Sequence, residues 1–452
     1  MECSRNATKT KIMQFQIKKT ILFSLAILSL SLFSCELSEI PDPNNPSLEV
    51  ISADATVGEI QNLVDGIESW MRDRHATYFD GVGMIGREYY RFSNSDPRFT
   101  SDLLGKGSAV LDNNTFYTTN PFASRYRVVK NANILITAIE NTSAPITPEQ
   151  VSSTLGYAKT IKAHELLMVL NQQYNNGIRV DVADPDNLGA FLSYSESLNA
   201  IKALLDEGHS DLSKGGSDFL FELTSGYADP SVAGFMEFNR ALAARVDAYR
   251  EDWDGVLANL AESFFDMNGD FNTGVYNVFS TAGGDQLNGM WYPPNATGEL
   301  RVAHPSYLAD IRPGDTRTSK VRQRDETATL DDLSSDYDVN VYASNTSSIA
   351  RIRNEELILL YAEARIQKDE LNEAVTALNV IRNAYMLGDY TGAMSKGALL
   401  DELLYQRRYS LYGEGHRWID MRRYGRLNEL PIDRSGDDVW EQFPRPMTED
   451  QG

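Results

Sequence analysis

RIRNEELILLYAEARIQKDELNEAVTALNVIRNAY, residues Arg351 to Tyr385, holds the pattern on which the fold turns. Apolar residues recur at helical spacing on both sides of Lys368-Asp369-Glu370, so the stretch reads as two helices joined by a tight turn. Ala362 in the first helix is followed twelve residues later by Ala374 in the second. That is the interval between the two small positions of a tetratricopeptide repeat, a helix–turn–helix unit of about 34 residues. Small side chains at both places let the paired helices approach closely. Phe235 to Phe265 repeats the arrangement around Glu251-Asp252-Trp253-Asp254-Gly255, with Ala244 and the larger Val256 in the corresponding places.

Working outward, Ala55–Arg72 sets Ile60, Leu63, Val64 and Ile67 on one helical face, with Met71 a turn further on. Phe122–Glu140 (Val128, Ile134, Leu135, Ile139) and Leu155–Tyr174 (Ile161, Leu166, Leu167, Val169, Leu170) carry the same signal. Between these helices lie residues 73–120 and 266–350, rich in Gly, Asn, Asp, Ser, Thr and aromatics and without sustained period. The expected fold is therefore mostly α, built of tetratricopeptide-like helix pairs with long irregular loop excursions. Loops of that length in a compact chain are usually functional or disordered. Their aromatic content (Tyr78, Phe79, Tyr89, Tyr90, Phe92, Trp291, Tyr292) predicts that they are ordered.

Composition removes several function classes. Lys and Arg number 42 against 64 Asp and Glu, a formal charge of −22, which argues against a nucleic-acid binder that must neutralise phosphates. Two cysteines make neither a disulfide framework nor a thiolate zinc site, and the five histidines form no HExxH pair. Asp266–Asp270 has a hint of a calcium loop, but Phe271 stands where the loop needs Gly and Asn277 where it needs a bidentate Glu. No G-x-S-x-G elbow or Walker loop is present, and carboxylate pairs such as Asp252/Asp254 and Glu355/Glu356 are inevitable among so many acids. The expectation is a protein that is not an enzyme and needs no cofactor and no metal.

The N-terminal segment is expected to direct the chain to a membrane surface. Ile21–Phe33 is an apolar run preceded by Lys18 and Lys19, too short to span a bilayer core of about 30 Å. Leu32-Phe33-Ser34-Cys35 is similar to a bacterial lipobox, with a Phe33 bulkier than usual. This resemblance implies a lipoprotein-type signal peptide over 1–34 and acylation of Cys35, with 35–50 as lipidated N-terminus and tether. Met13 is an alternative start to Met1.

The block LLDELLYQRRYSLYGEGHRWIDMRRYGRL, Leu399 to Leu427, contains six arginines interleaved with Glu402, Glu414 and Asp420 above an apolar face of Leu403, Leu404, Leu411, Trp418 and Met421. Mixtures of this kind read as packed helices with internal ion pairs rather than as a polyanion site. Taken with the lipobox and FPRPMTED at Phe443–Asp450, the C-terminal third resembles the SusD/RagB family of Bacteroidetes outer-membrane nutrient-uptake lipoproteins. The matching residues are Ala362-Glu363-Ala364, Leu378-Asn379-Val380-Ile381-Arg382, Arg407-Arg408, Glu414-Gly415, Arg417, Asp420, Arg422-Arg423 and Gly425. The chain departs from the family at Asn171–Gly177, where many members have an aromatic-Gly-x-x-Pro turn.

The resemblance implies a SusD-like α-helical glycan-binding domain over 51–452. It also implies a lid over a SusC-like TonB-dependent transporter, lipid-anchored in the outer membrane and facing outward. Such a protein captures oligosaccharide for import. It suggests that the two loop regions supply the binding face, and the residue chemistry selects Tyr89, Tyr90, Arg91 and Asn94 from the first and Trp291 and Tyr292 from the second. Sugars need flat apolar faces for their C–H surfaces and polar neighbours for their hydroxyls. Pro293 and Pro294 lower the entropy of presenting the second pair of rings. A tetratricopeptide-type scaffold for peptides and a surface glycoside hydrolase remain the alternatives.

Overall fold

A computed structural model of the protein describes residues 48–450. The expected signal peptide, Cys35 and most of the expected tether lie outside the described residues. So do the last two residues of the chain.

The helices follow the apolar spacing, and three of them begin at capping boxes. In chain order they include α1 (Val57–Trp70), α2 (His75–Ile85), α3 (Phe116–Asn141), α4 (Pro148–Gln173), α5 (Tyr194–Leu212), α6 (Val232–Tyr249) and α7 (Trp253–Ala261). After a segment of strands come α8 (Asn354–Gln367), α9 (Leu371–Ala384), α10 (Lys396–Ser410) and α11 (Arg417–Arg423). Thr56 with Glu59, Thr147 with Gln150 and Ser193 with Glu196 exchange side-chain and backbone hydrogen bonds at the starts of α1, α4 and α5. On α1 the buried face is Ile60, Val64 and Ile67, with Met71 buried just beyond it.

From α3 to α8 each helix packs on the next, and α8 continues onto both α9 and α10. Both expected pairs are present, α6 with α7 and α8 with α9. Ala244, Val256, Ala362 and Ala374 are all fully buried, as close helix contacts require. Glu251 and Asp369 take φ of 60° and 58° in the connecting turns. The α4–α5 crossing is tighter still: a Cβ on Gly156 would stand 2.7 Å from the carbonyl oxygen of Gly208. A separate small core of Ile358, Ala362, Ala374, Leu378, Leu399 and Leu403 holds α8, α9 and α10 together.

The two excursions are less irregular than their sequence suggests. The first contains α2 and strand β1 (Tyr89–Ser93). Two short strands, β2 (Ile178–Arg179) and β3 (Phe191–Leu192), pair between α4 and α5. The second excursion contains β4 (Gly274–Asn277), β5 (Glu299–Ala303), β6 (Val321–Leu330), β7 (Leu333–Val339) and β8 (Ile349–Arg353). An antiparallel sheet runs in the order β1-β5-β7-β6, and β4 pairs separately with β8. Residues 351–353 are thus strand, and the helix begins only at Asn354. The strands escape pattern reading for identifiable reasons. Every residue of β1 is buried, so it shows no alternation, and β7 turns Ser335 inward where an apolar side chain would have been the signal.

Buried ion pairs tie distant segments together. Arg351 on β8 reaches Glu68 on α1 at 2.5 Å, and Glu68 also accepts hydrogen bonds from Tyr157 and Tyr227 at 2.9 and 2.7 Å. Burial alone would raise the Glu68 carboxyl, but Arg351 and these hydroxyls hold it below its ordinary value. The arginine block acts in the same way. Arg407 pairs with Asp420 at 2.7 Å, Arg423 with Glu363 and Asp420 at 2.9 and 3.0 Å, and Arg422 donates to the carbonyls of Asn171 and Glu441. Asp266 and Asp270 spend carboxylate oxygens on the backbone N–H groups of Asn268 and Asn272. No group of side chains among the described residues is arranged to hold a metal ion, and none of the described helices is long and apolar enough to cross a membrane.

Candidate functional site

The sheet brings the two candidate loop regions together across about 200 residues of sequence. β1 pairs with β5 antiparallel, setting Tyr90 opposite Val302 and Arg91 opposite Arg301. Just beyond the pairing, the Asn94 N–H donates to the Gly298 carbonyl at 2.8 Å.

The six candidates then separate by burial. Tyr89 is fully buried and donates its hydroxyl to the Phe79 carbonyl at 2.8 Å. Tyr90 is 2% exposed, stacked on Phe92 at 5.6 Å and lying 5.0 Å from the His304 ring. Neither ring offers a face to a ligand, because β1 is covered on both sides. Arg91 is also buried, and its guanidinium is shared among Glu299, Asp80 and aromatic faces. Asn94 is exposed at the end of the strand, and Trp291 and Tyr292 are partly buried.

What remains is a rim. The Tyr292 ring lies 5.0 Å from the Arg91 guanidinium and 5.1 Å from that of Arg301, and Arg301 is bound by Asp80 through bonds of 2.6 and 2.7 Å. Two neighbouring cations would repel each other there. Asp80 and Glu299 offset them, so the aromatic ring sits on a neutralised, rigid base. Glu299 is pushed up by partial burial, yet hydrogen bonds from Ser93, Ser95 and Arg91 hold its carboxyl at about 2. Trp291 packs its apolar edge on the main core, and neither its indole N–H nor the Tyr292 hydroxyl finds a partner in the protein. Trp291 is thus both an anchor and a partly accessible ring.

Beside Asn94 opens a groove of about 580 Å³ lined by Ser93, Pro97, Thr100, Lys106, Leu330 and Asp331. Lys106 and Arg434 both engage Asp331, the latter at 2.7 Å, so the groove floor carries no uncompensated charge. Asp331 reaches it because Asp331 and Asp332 occupy the β6–β7 turn with φ of 56° and 61°. An Asp-Asp pair between two strands is a turn signal. That signal is the clue in the sequence to this wall, which lies outside the expected binding residues.

The fold, an α-helical body of paired helices carrying a small antiparallel sheet, is the one seen in solved structures of SusD superfamily proteins. A SusD superfamily protein from Bacteroides vulgatus ATCC 8482 superposes with a TM-score of 0.67 at 16% identity, covering 88% of this chain and 97% of that one. One from Parabacteroides distasonis ATCC 8503 gives 0.65 at 16% identity, covering 87% and 96%. Surface glycan-binding protein A from Bacteroides thetaiotaomicron, in complex with laminarihexaose, gives 0.68 at 14% identity, covering 87% and 97%. Residues 288–451 match the model of the SusD family. No curated protein matches the chain.

Proposed function

We propose that this protein is a surface-exposed, lipid-anchored glycan binder of the outer membrane, which captures oligosaccharide without cleaving it and passes it to a SusC-like TonB-dependent transporter. The observation that carries the reading is the rim itself: two partly accessible aromatic rings with unpartnered N–H and O–H groups, Tyr292 resting on Arg91 of β1, and, at the end of that same strand, exposed Asn94 and an open groove. Sharing a fold with a protein described in complex with laminarihexaose supports the same reading. Trp291, Tyr292 and Asn94 make the contacts. Arg91 holds Tyr292 in place, and Tyr89 and Tyr90 form the packed floor beneath.

A ring face removing about 40 Å² from water contributes about 1 kcal/mol, and a net hydrogen bond about as much. Two such ring faces and three such hydrogen bonds sum to about 5 kcal/mol, which is binding a little tighter than millimolar and weak enough to release the ligand onward. Titration calorimetry of the protein with laminarihexaose and a panel of other oligosaccharides tests the reading, with thermal melting in parallel. Tyr292→Ala is expected to weaken binding by about 2 kcal/mol, roughly 30-fold, with little change in melting. Retention of intact sugar is expected. Shortened products would point to a hydrolase, and a panel that never binds would leave the peptide scaffold. If Trp291→Ala melts far earlier while the folded fraction binds normally, Trp291 belongs to the core alone.

A further inference from the structure

The helix-pair body carries a second concavity, a pocket of about 360 Å³ that shares no lining residue with the groove beside Asn94. It forms where helices end. Tyr174 follows α4, Tyr194 opens α5, Tyr249 closes α6, Trp253 opens α7 and Tyr424 follows α11. Five aromatic side chains from residues 174 to 424 thus face one space. Tyr174 belongs to Asn171–Gly177, the segment at which the sequence departs from its family.

Hydrogen bonding in this pocket is left incomplete. Tyr249 is only 7% exposed, and its hydroxyl makes no hydrogen bond within the protein. The Tyr194 hydroxyl is buried without a partner. The Tyr174 hydroxyl and the Trp253 indole N–H are also unpaired. Buried polar groups are ordinarily satisfied, so the orphaned Tyr194 hydroxyl, with three more accessible groups that lack a partner in the protein around the same cavity, calls for an occupant that supplies donors and acceptors.

The walls are held stiffly. Tyr174 takes φ of 45° and is clamped between the Arg422 guanidinium, 4.1 Å from its ring, and the Tyr194 ring at 4.6 Å. Arg423, fixed by Glu363 and Asp420, backs the rings of Tyr249 and Tyr424 at 4.9 and 5.3 Å. Tyr424 donates its own hydroxyl to Glu363 at 2.6 Å, which fixes its orientation. A preorganised site loses little entropy on binding.

We infer that this pocket binds a neutral saccharide of one or two rings, independently of the rim at Trp291 and Tyr292. An apolar ligand would leave the four polar groups unpaired. An anion would face Glu251, a lining carboxylate without an ion-pair partner, and a cation would face Arg423 and Lys396. Flat aromatic faces with hydroxyls that both donate and accept match a sugar's C–H faces and hydroxyl edges. The volume lies near the lower end of ligand pockets, too small for a long chain.

Saturation-transfer NMR on the whole protein tests this with glucose, galactose, mannose, xylose, N-acetylglucosamine, maltose and cellobiose at millimolar concentration. At least one sugar is expected to receive saturation and to do so equally with the Tyr292→Ala variant. Trp253→Ala is expected to weaken that binding about tenfold and Tyr194→Phe, which removes a single oxygen, about fivefold. If Trp253→Ala melts early, Tyr194→Phe and Tyr249→Phe decide the matter. A silent panel overturns the assignment, as does binding that both hydroxyl deletions leave unchanged or that Tyr292→Ala abolishes. Failure of the rim reading looks different: hexasaccharide titrations would be insensitive to Tyr292→Ala whatever these small sugars do.

Discussion

Glu88 lies in the connection from α2 to β1, 4% exposed. One carboxylate oxygen accepts the Gly413 N–H at 3.0 Å and the other has no partner. Burial drives its pKa from 4.5 to about 8, more than the Gly413 N–H and the nearby Arg417 can offset, while Glu414 adds to the rise. Between those two pH values the folded chain keeps a proton that the unfolded chain has released, so stability falls as pH rises. The contribution is complete below pH 4.5 and gone once pH has passed through about 8. At about 1.4 kcal/mol per pH unit, ionising Glu88 in the folded protein costs on the order of 5 kcal/mol relative to the unfolded chain. Glu88→Gln keeps the shape and removes the charge. Its amide inherits the unpartnered position, which costs about 1–2 kcal/mol. The expected outcome is a gain of roughly 3 kcal/mol at pH 9 and no gain, or a loss of about 1 kcal/mol, at pH 4. Urea denaturation of wild type and variant at pH 4, 7 and 9 measures the difference directly. A difference that does not change with pH would refute the reasoning, because only a group that stays protonated in the fold produces the divergence.

Three further outcomes follow from the packing and the sequence. Ala362→Phe and Ala374→Phe overpack the α8–α9 contact and are each expected to cost about 1–3 kcal/mol, read as a lowered thermal midpoint. Arg351→Ala strands the Glu68 carboxylate and is expected to cost about 3–5 kcal/mol by denaturant titration, of which the double variant Glu68→Leu, Arg351→Met recovers a large part. Cys35→Ala is expected to abolish incorporation of radiolabelled palmitate and to move the protein from the detergent phase to the aqueous phase, since stable anchoring needs more than one acyl chain.

The helix pairs were legible because helical periodicity is local. Apolar residues three and four apart place themselves on one face whatever the rest of the chain does, and Ala362 and Ala374 marked where two such faces must meet. The ion-pairing role of the arginine block was legible too, from the carboxylates interleaved with it. The strands were not, since β1 is buried on both faces and β7 buries a serine, so neither shows the alternation that announces a strand. Which aromatics face outward was also undecidable locally. Tyr89 and Tyr90 sit among polar neighbours much as Trp291 and Tyr292 do, and only the layers covering β1 on both sides put the first pair into the core. The sheet pairing of Tyr90 with Val302 made the two loops neighbours, and convergence of helix ends assembled the second pocket from residues 174 to 424. A helix is specified by side chains a few residues apart. A binding surface depends on contacts between segments hundreds of residues apart, and those exist only once the chain has packed.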